Sequence, residues 1–134
     1  MAAVSTAEGK PAAKILVVDD TPSNVKVLRT LLAVRGYTVI TAENGQDALD
    51  KAASEPPDLI LMDVVMPVMD GYEACRRLRA LPATKDVPIV MVTASGPQEK
   101  AKALAVGAND MIMKPVDPEA VLELVATLLA GARP

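Results

Sequence analysis

KILVVDDTPSN, residues 14–24, runs four apolar residues, Ile15, Leu16, Val17 and Val18, straight into two adjacent carboxylates, Asp19 and Asp20. An unbroken apolar run, without polar alternation, is what a strand needs when helices cover both faces of its sheet. Thr21 and Pro22 then supply an N-cap and a proline for the first helical position, and Val25, Leu28 and Leu32 recur at helical spacing until Gly36. The segment predicts a strand that turns at once into a helix, with two like charges repelling each other at the turn.

The same unit repeats along the chain. TVITA (38–42) reads as a strand, Asn44-Gly45 as a turn or cap, and QDALDKAAS as a helix stopped by Pro56-Pro57. DLILMD (58–63) is the third strand and GYEACRRLRAL the third helix. VPIVMVTA (87–94) is the fourth strand, PQEKAKALAVGA a helix closed by Gly107, DMIM a short fifth strand, and the last helix starts at Asp117 or Pro118. Parallel strands need right-handed crossovers, so five strand-then-helix units imply a doubly wound α/β fold: a five-stranded parallel sheet between two helical layers. Residues 14–131 form this single domain, and residues 1–13, MAAVSTAEGKPAA, read as a flexible tail without the pattern of a secretory signal.

Composition removes several functions. With 14 basic against 17 acidic residues, a net charge of −3, the chain lacks the basic footprint of a nucleic-acid binder. No apolar run approaches the ~20 residues of a membrane span, and a single cysteine, Cys75, permits no internal disulfide. A cytoplasmic, reducing setting fits. Histidine is absent, which removes the commonest general base and metal ligand, so the chemistry falls to carboxylates, hydroxyls and lysine. Phe and Trp are absent too; Tyr37 and Tyr72 offer little for stacking a flat ligand.

In an open α/β sheet, ligands bind beyond the carboxyl ends of the strands. Strand one ends at Asp19 and Asp20, strand three at Asp63, strand four at Thr93, and strand five at Lys114, followed by Pro115. Any one polar strand end is ordinary loop composition. Three carboxylates on one rim, however, are costly unless a cation joins them. All-oxygen ligands suit a hard ion, Mg²⁺ (with Mn²⁺ as an alternative), which binds through one or two carboxylates, waters and a phosphate oxygen. The divalent ion and Lys114 together neutralise the three acids, so the acid pair after strand one is read as holding a metal that admits phosphate.

Together VVDD, LMDVVMPVMDG, MVTAS and MKP, spread over roughly residues 14–131, make the chain resemble the receiver domain of two-component response regulators, a flavodoxin-like (βα)5 fold. The resemblance implies a phosphoacceptor at Asp63, direct metal ligation by Asp20, a largely water-mediated part for Asp19, and a metal contact from the Val65 carbonyl. It implies that Thr93 bonds a phosphoryl oxygen and that Lys114, before a cis peptide to Pro115, pairs with the acyl phosphate. Pro67 and Gly71 would shape the turn into the third helix. The implied activity is that of a switch, not an enzyme: self-phosphorylation from a donor and slow autodephosphorylation. The implied donor is a histidine kinase, a phosphotransfer protein or a small acyl phosphate, and the output passes to a downstream protein target, with neither nucleic acid nor membrane as partner. Only five residues follow Leu129, so the output is expected from partners or from a longer protein of which this is a piece.

Two positions depart from the family. The switch position three before the lysine, aromatic in most receivers, is Met111, flexible and without a hydroxyl, which predicts a softer switch shared with Thr93. Val65 and Ser95 stand where the family tunes dephosphorylation; Val65 has no polar group to orient water, which predicts a long-lived acyl phosphate. On the last helix Val121, Leu124, Val125 and Leu128 form a core stripe that Leu122 and Leu129 widen, a surplus expected to serve a partner, with a homodimer through the fourth helix, fifth strand and fifth helix as the family implies. Cys75 is expected to be a small buried hydrophobe, and Arg76, Arg77 and Arg79 a solvated face. Alternatives are a flavodoxin-like binding protein, disfavoured by two acids where a phosphate loop belongs, an aspartyl-phosphate hydrolase, whose D-x-D spacing is missing, and a phosphorylation-independent pseudo-receiver, disfavoured by the complete set Asp19, Asp20, Asp63, Thr93 and Lys114.

Overall fold

A computed structural model describes residues 13–132; all of the expected tail but Ala13 lies outside the described residues. The elements alternate β1 (Lys14–Val18), α1 (Pro22–Val34), β2 (Thr38–Ala42), α2 (Gly45–Ser54), β3 (Leu59–Asp63), α3 (Gly71–Arg79), β4 (Ile89–Thr93), α4 (Glu99–Ala105), β5 (Asp110–Met113) and α5 (Pro118–Ala132). All strands are parallel, in the order β2-β1-β3-β4-β5. Chain order reverses direction across the sheet between β1 and β3, which leaves a crevice beyond their carboxyl ends.

The strand period of two divides the core into halves. Leu16, Val18, Ile60, Met62, Ile89 and Met91 point to the side covered by α2, α3 and α4, where they meet Ala48, Ala52, Tyr72, Cys75, Leu78 and Ala103. Ile15, Val17, Leu59, Leu61 and Val90 point to the other side, against Leu28 and Leu32 of α1 and Val121, Leu122, Val125 and Leu129 of α5. Neighbouring residues of the central strands are thus buried on opposite faces, which is why their sequences read as continuous apolar runs.

Three local expectations change. Thr21 occupies the N-cap position of α1 with Pro22 following, but its side chain makes no cap bond; its own N–H is instead taken by Asp19 Oδ1 at 2.9 Å. Leu122 and Leu129 are core residues on α5, not a partner surface, because the helix lies in the valley between sheet and α1 and buries a wider arc than one stripe. Arg79 does not belong to a solvated face. Arg76 and Arg77 do pair with Glu73 at the surface, whereas Arg79 turns inward and donates to the carbonyls of Gly107, Thr84, Lys85 and Val87 and to Asn109 Oδ1. One guanidinium thereby ties the end of α3 to the loops before β4 and β5, a task its five donors suit. Cys75 is buried as expected; its Sγ lies 3.4 Å from the Val106 carbonyl, and burial pushes its thiol pKa up.

Gly71 fixes how α3 leaves the sheet. Its N–H donates to the Val64 carbonyl at 2.8 Å, and a Cβ there would come within 2.4 Å of the Asp63 carbonyl and 2.6 Å of Met91 Cε. Asp70, whose carboxylate accepts from the Glu73 N–H at 2.9 Å, caps the same helix end. Gly71→Ala is expected to destabilise the fold by about 1–3 kcal/mol through overpacking, read as a lower urea midpoint at unchanged slope.

Candidate functional site

The carboxyl ends of the strands gather the polar residues the sequence singles out. Asp19 and Asp20 follow β1, Asp63 ends β3, Thr93 ends β4 and Lys114 follows β5. Asp19, Asp63 and Thr93 are buried and Asp20 is exposed. One oxygen from each of the three carboxylates lies within 4.8 Å of the other two. Lys114 Nζ lies 3.3 Å from Asp63 Oδ1 and 3.7 Å from Asp19 Oδ2.

Backbone ties hold these ends in place. The Asp19 N–H donates to the Ala42 carbonyl at the end of β2, and the Lys114 N–H donates to the Thr93 carbonyl at 2.7 Å. The Val64 N–H reaches across to Val92 at 3.1 Å. Thr93 Oγ1 accepts from the Ser95 N–H at 3.0 Å, so its own proton remains for another acceptor. The Lys114–Pro115 peptide is cis. Val65, on the loop after β3, is 70% exposed, and its backbone N–H faces the Asp63 carboxylate. Met111 is half-buried and packs against the α2–α4 half of the core. All the candidate residues but Met111 therefore converge on one rim.

The electrostatics are those of a site short of positive charge. Two unit charges 4.8 Å apart repel by about 3 kcal/mol at an effective dielectric of ~20. Burial, and next the Asp19 charge, raise the Asp63 pKa above the ordinary 3.8, while Lys114 and the Val65 N–H pull it down. A lysine alone cannot balance three acids, and the donor set is entirely oxygen. That chemistry fits a hard divalent cation.

Beside the acids a cavity of about 550 Å³ opens between α1 and the segment that follows β5, lined by Asp19 and Lys114 together with Val27, Leu28, Pro115 and Val116. Val65 and Val68, on the loop after β3, are exposed. Val68 has a positive φ of 71°, rare for a β-branched residue. Neither this strain nor the bond from the Tyr72 hydroxyl to Glu99 is visible in the sequence pattern; that Tyr72 is one of only two aromatic residues is the available signal.

Residues 15–126 match the response regulator receiver domain, and the chain belongs to that family, the receiver of two-component signalling. PilH of Pseudomonas aeruginosa is 39% identical over 120 residues, 89% of this chain and 99% of PilH. The response regulator PleD of Caulobacter vibrioides is 42% identical over 118 residues, but the chain spans only 26% of it. Among solved structures, the receiver domain of the sensor histidine kinase PA1611 from Pseudomonas aeruginosa, with magnesium coordinated in its active-site cleft, superposes with a TM-score of 0.83 at 33% identity, covering 89% of this chain and 98% of that one. The receiver domain of Ssk1 from Saccharomyces cerevisiae, in complex with the phosphotransfer protein Ypd1, has a TM-score of 0.82 at 30% identity, covering 90% of each chain. The flavin-carrier and pseudo-receiver alternatives find no support in these relatives.

Because Asp63 keeps its proton to higher pH folded than unfolded, the folded state binds more protons between 3.8 and that raised value, and stability falls as pH rises through this window. Asp63→Asn removes the fall. At neutral pH and without added metal the variant should be more stable than wild type by on the order of 1 kcal/mol, and the two should converge in acid, as thermal melts across pH would show.

Proposed function

We propose that Asp63 is the phosphoacceptor of this receiver and that Mg²⁺, or Mn²⁺ in its place, is held by Asp19, Asp20, Asp63 and the Val65 carbonyl. One observation carries the reading: three carboxylates at the ends of β1 and β3 have oxygens within 4.8 Å of one another, and Lys114 pairs with two of them, Asp19 and Asp63. The bound ion would supply charge neutralisation to the phosphoryl oxygens.

The chain's own residues account for the rest. An Asp63 oxygen attacks phosphorus, an O–P bond forms, and the bond to the donor breaks, its electron pair leaving with the imidazole or carboxylate of the donor. Lys114, 3.3 Å from Asp63, neutralises charge on the transferred group, and the Thr93 hydroxyl donates to a phosphoryl oxygen. Such a transfer asks little beyond positioning and electrostatics. The donor is proposed to be a histidine kinase or phosphotransfer protein in the cytoplasm, docking through the exposed apolar residues Val27 of α1 and Val65 and Val68 of the loop after β3; small acyl phosphates serve in its absence. The downstream contact, with a target protein or a second copy, is assigned to α4, β5 and α5, where Leu104 and Met113 are exposed.

Incubation with a small acyl phosphate and Mg²⁺ should add about 80 Da to the intact mass of wild type, one phosphoryl group, and none to Asp63→Asn; equal labelling of both would overturn the assignment. Asp20→Ala should lose the Mg²⁺ dependence of labelling. The acyl phosphate is expected to persist for minutes, since the exposed Val65 side chain offers no polar atom to orient water, and Val65→Asn to shorten that lifetime. Loss within seconds in wild type would refute this.

A further inference from the structure

We propose that Tyr72 on α3, through the bond from its hydroxyl to the Glu99 carboxylate at the start of α4, is the aromatic that carries the state of the acid site to α4, a part Met111 on β5 is not built for. This rests on Asp63 being the acceptor, as proposed above.

Tyr72 sits where both arms leaving the acid site meet. On one side it follows Gly71, whose N–H is bonded to the Val64 carbonyl, one residue beyond Asp63. On the other, its hydroxyl donates to Glu99 Oε1 and its ring lies under Lys102, whose Nζ is 4.6 Å from the ring centroid. Glu99 is reached from Thr93 by a short, self-bonded loop. Thr93 Oγ1 accepts from the Ser95 N–H at 3.0 Å, the Ser95 carbonyl accepts from Gln98 Nε2, and the Gly96 carbonyl accepts from the Glu99 N–H at 3.2 Å. Movement of Thr93 toward a phosphoryl group therefore drags the first residue of α4.

That helix has little else to hold it. It is seven residues long, with Ala103 as its one buried residue, and besides the contacts of Glu99 and Lys102 it has the Lys100–Asp110 pair at 3.4 Å, at the surface. Tyr72 is firmly seated by contrast: it is 5% exposed in the α2–α4 half of the core, and burial together with the Glu99 bond pushes its hydroxyl pKa up to about 12. Met111 belongs to the same apolar cluster but has no hydroxyl with which to hold one arrangement against another. Phosphorylation, by drawing Thr93 and its loop toward the acids, pulls Glu99 off the fixed tyrosine and loosens α4.

Amide hydrogen exchange of the full chain, with intact mass recorded on the same samples, tests this. In unphosphorylated protein, Tyr72→Phe, which keeps the ring and removes the hydroxyl, should raise exchange of the α4 amides about tenfold, the effect of losing one hydrogen bond to a charged group. Glu99→Gln, which keeps an acceptor, should leave them protected. Phosphorylated wild type should match Tyr72→Phe, and phosphorylating that variant should add no further change. Unchanged α4 exchange in Tyr72→Phe, or in wild type whose mass shows the added phosphoryl group, overturns the proposal. A wild-type mass without that group overturns the acceptor assignment instead.

Discussion

The repulsion among Asp19, Asp20 and Asp63 is the constraint around which the molecule is organised. Left to themselves, three acids with oxygens inside 4.8 Å would move apart, because side chains at exposed loop ends have the freedom to do so. Here they lack it. Asp19 is locked at both ends, by its N–H on Ala42 and its carboxylate on the Thr21 N–H, and Asp63 is the last residue of a strand buried along its whole length. The energy that holds the acids together comes from the two halves of the core, where a close-packed apolar sheet deforms very little. The Thr21 hydroxyl cap that the sequence suggested gives way to the same need: the N–H at that turn is used to steady a carboxylate.

Placement on one sheet makes the lysine's position follow. Strand order puts β3 beside β1 and β4, with β5 at the edge, so Lys114 must cross over β4 to reach Asp63. It does so from a backbone pinned to the Thr93 carbonyl. Thr93, at the end of the strand between the two, is 1% exposed, and its hydroxyl accepts from the Ser95 N–H with its own proton still to donate. Cation, hydroxyl and carboxylate are held by three separate strands whose register is fixed by burial on both faces.

Much of this was legible in the sequence because the strand ends mark themselves. An apolar run covered on both faces stops where polarity begins, and a parallel sheet puts every such stop on one rim. Asp19, Asp20, Asp63, Thr93 and Lys114 therefore group together in the sequence itself, and the five α/β units follow from the alternating periods. Arg79 was not legible: it stands beside Arg76 and Arg77 in CRRLRA, and only the phase of a helix whose buried face runs through Cys75 and Leu78 turns it toward Gly107 and Val87 while its neighbours face water. Leu122 and Leu129 were misjudged for a related reason. A helix wheel drawn for one contact surface underestimates a helix that packs on a sheet and a neighbouring helix at once. The Tyr72–Glu99 bond joins residues 27 apart on different helices, and no local pattern encodes such a contact.

The uneven packing of the five helices decides where a change at the rim can go. α1 and α5 bury leucines and valines deeply against the sheet, and α3 is clamped by Gly71 at one end and Arg79 at the other. Displacing any of these by a fraction of an ångström costs dispersion contacts across a dense core. α4 contributes little beyond one buried alanine, so the shift of Thr93 toward the acids proposed above would be absorbed there at least cost. The exposed Leu104 on that helix and the exposed Met113 on the adjoining strand would then change their spacing together, so the face proposed above for a downstream protein would be altered without disturbing the strands that hold the acids.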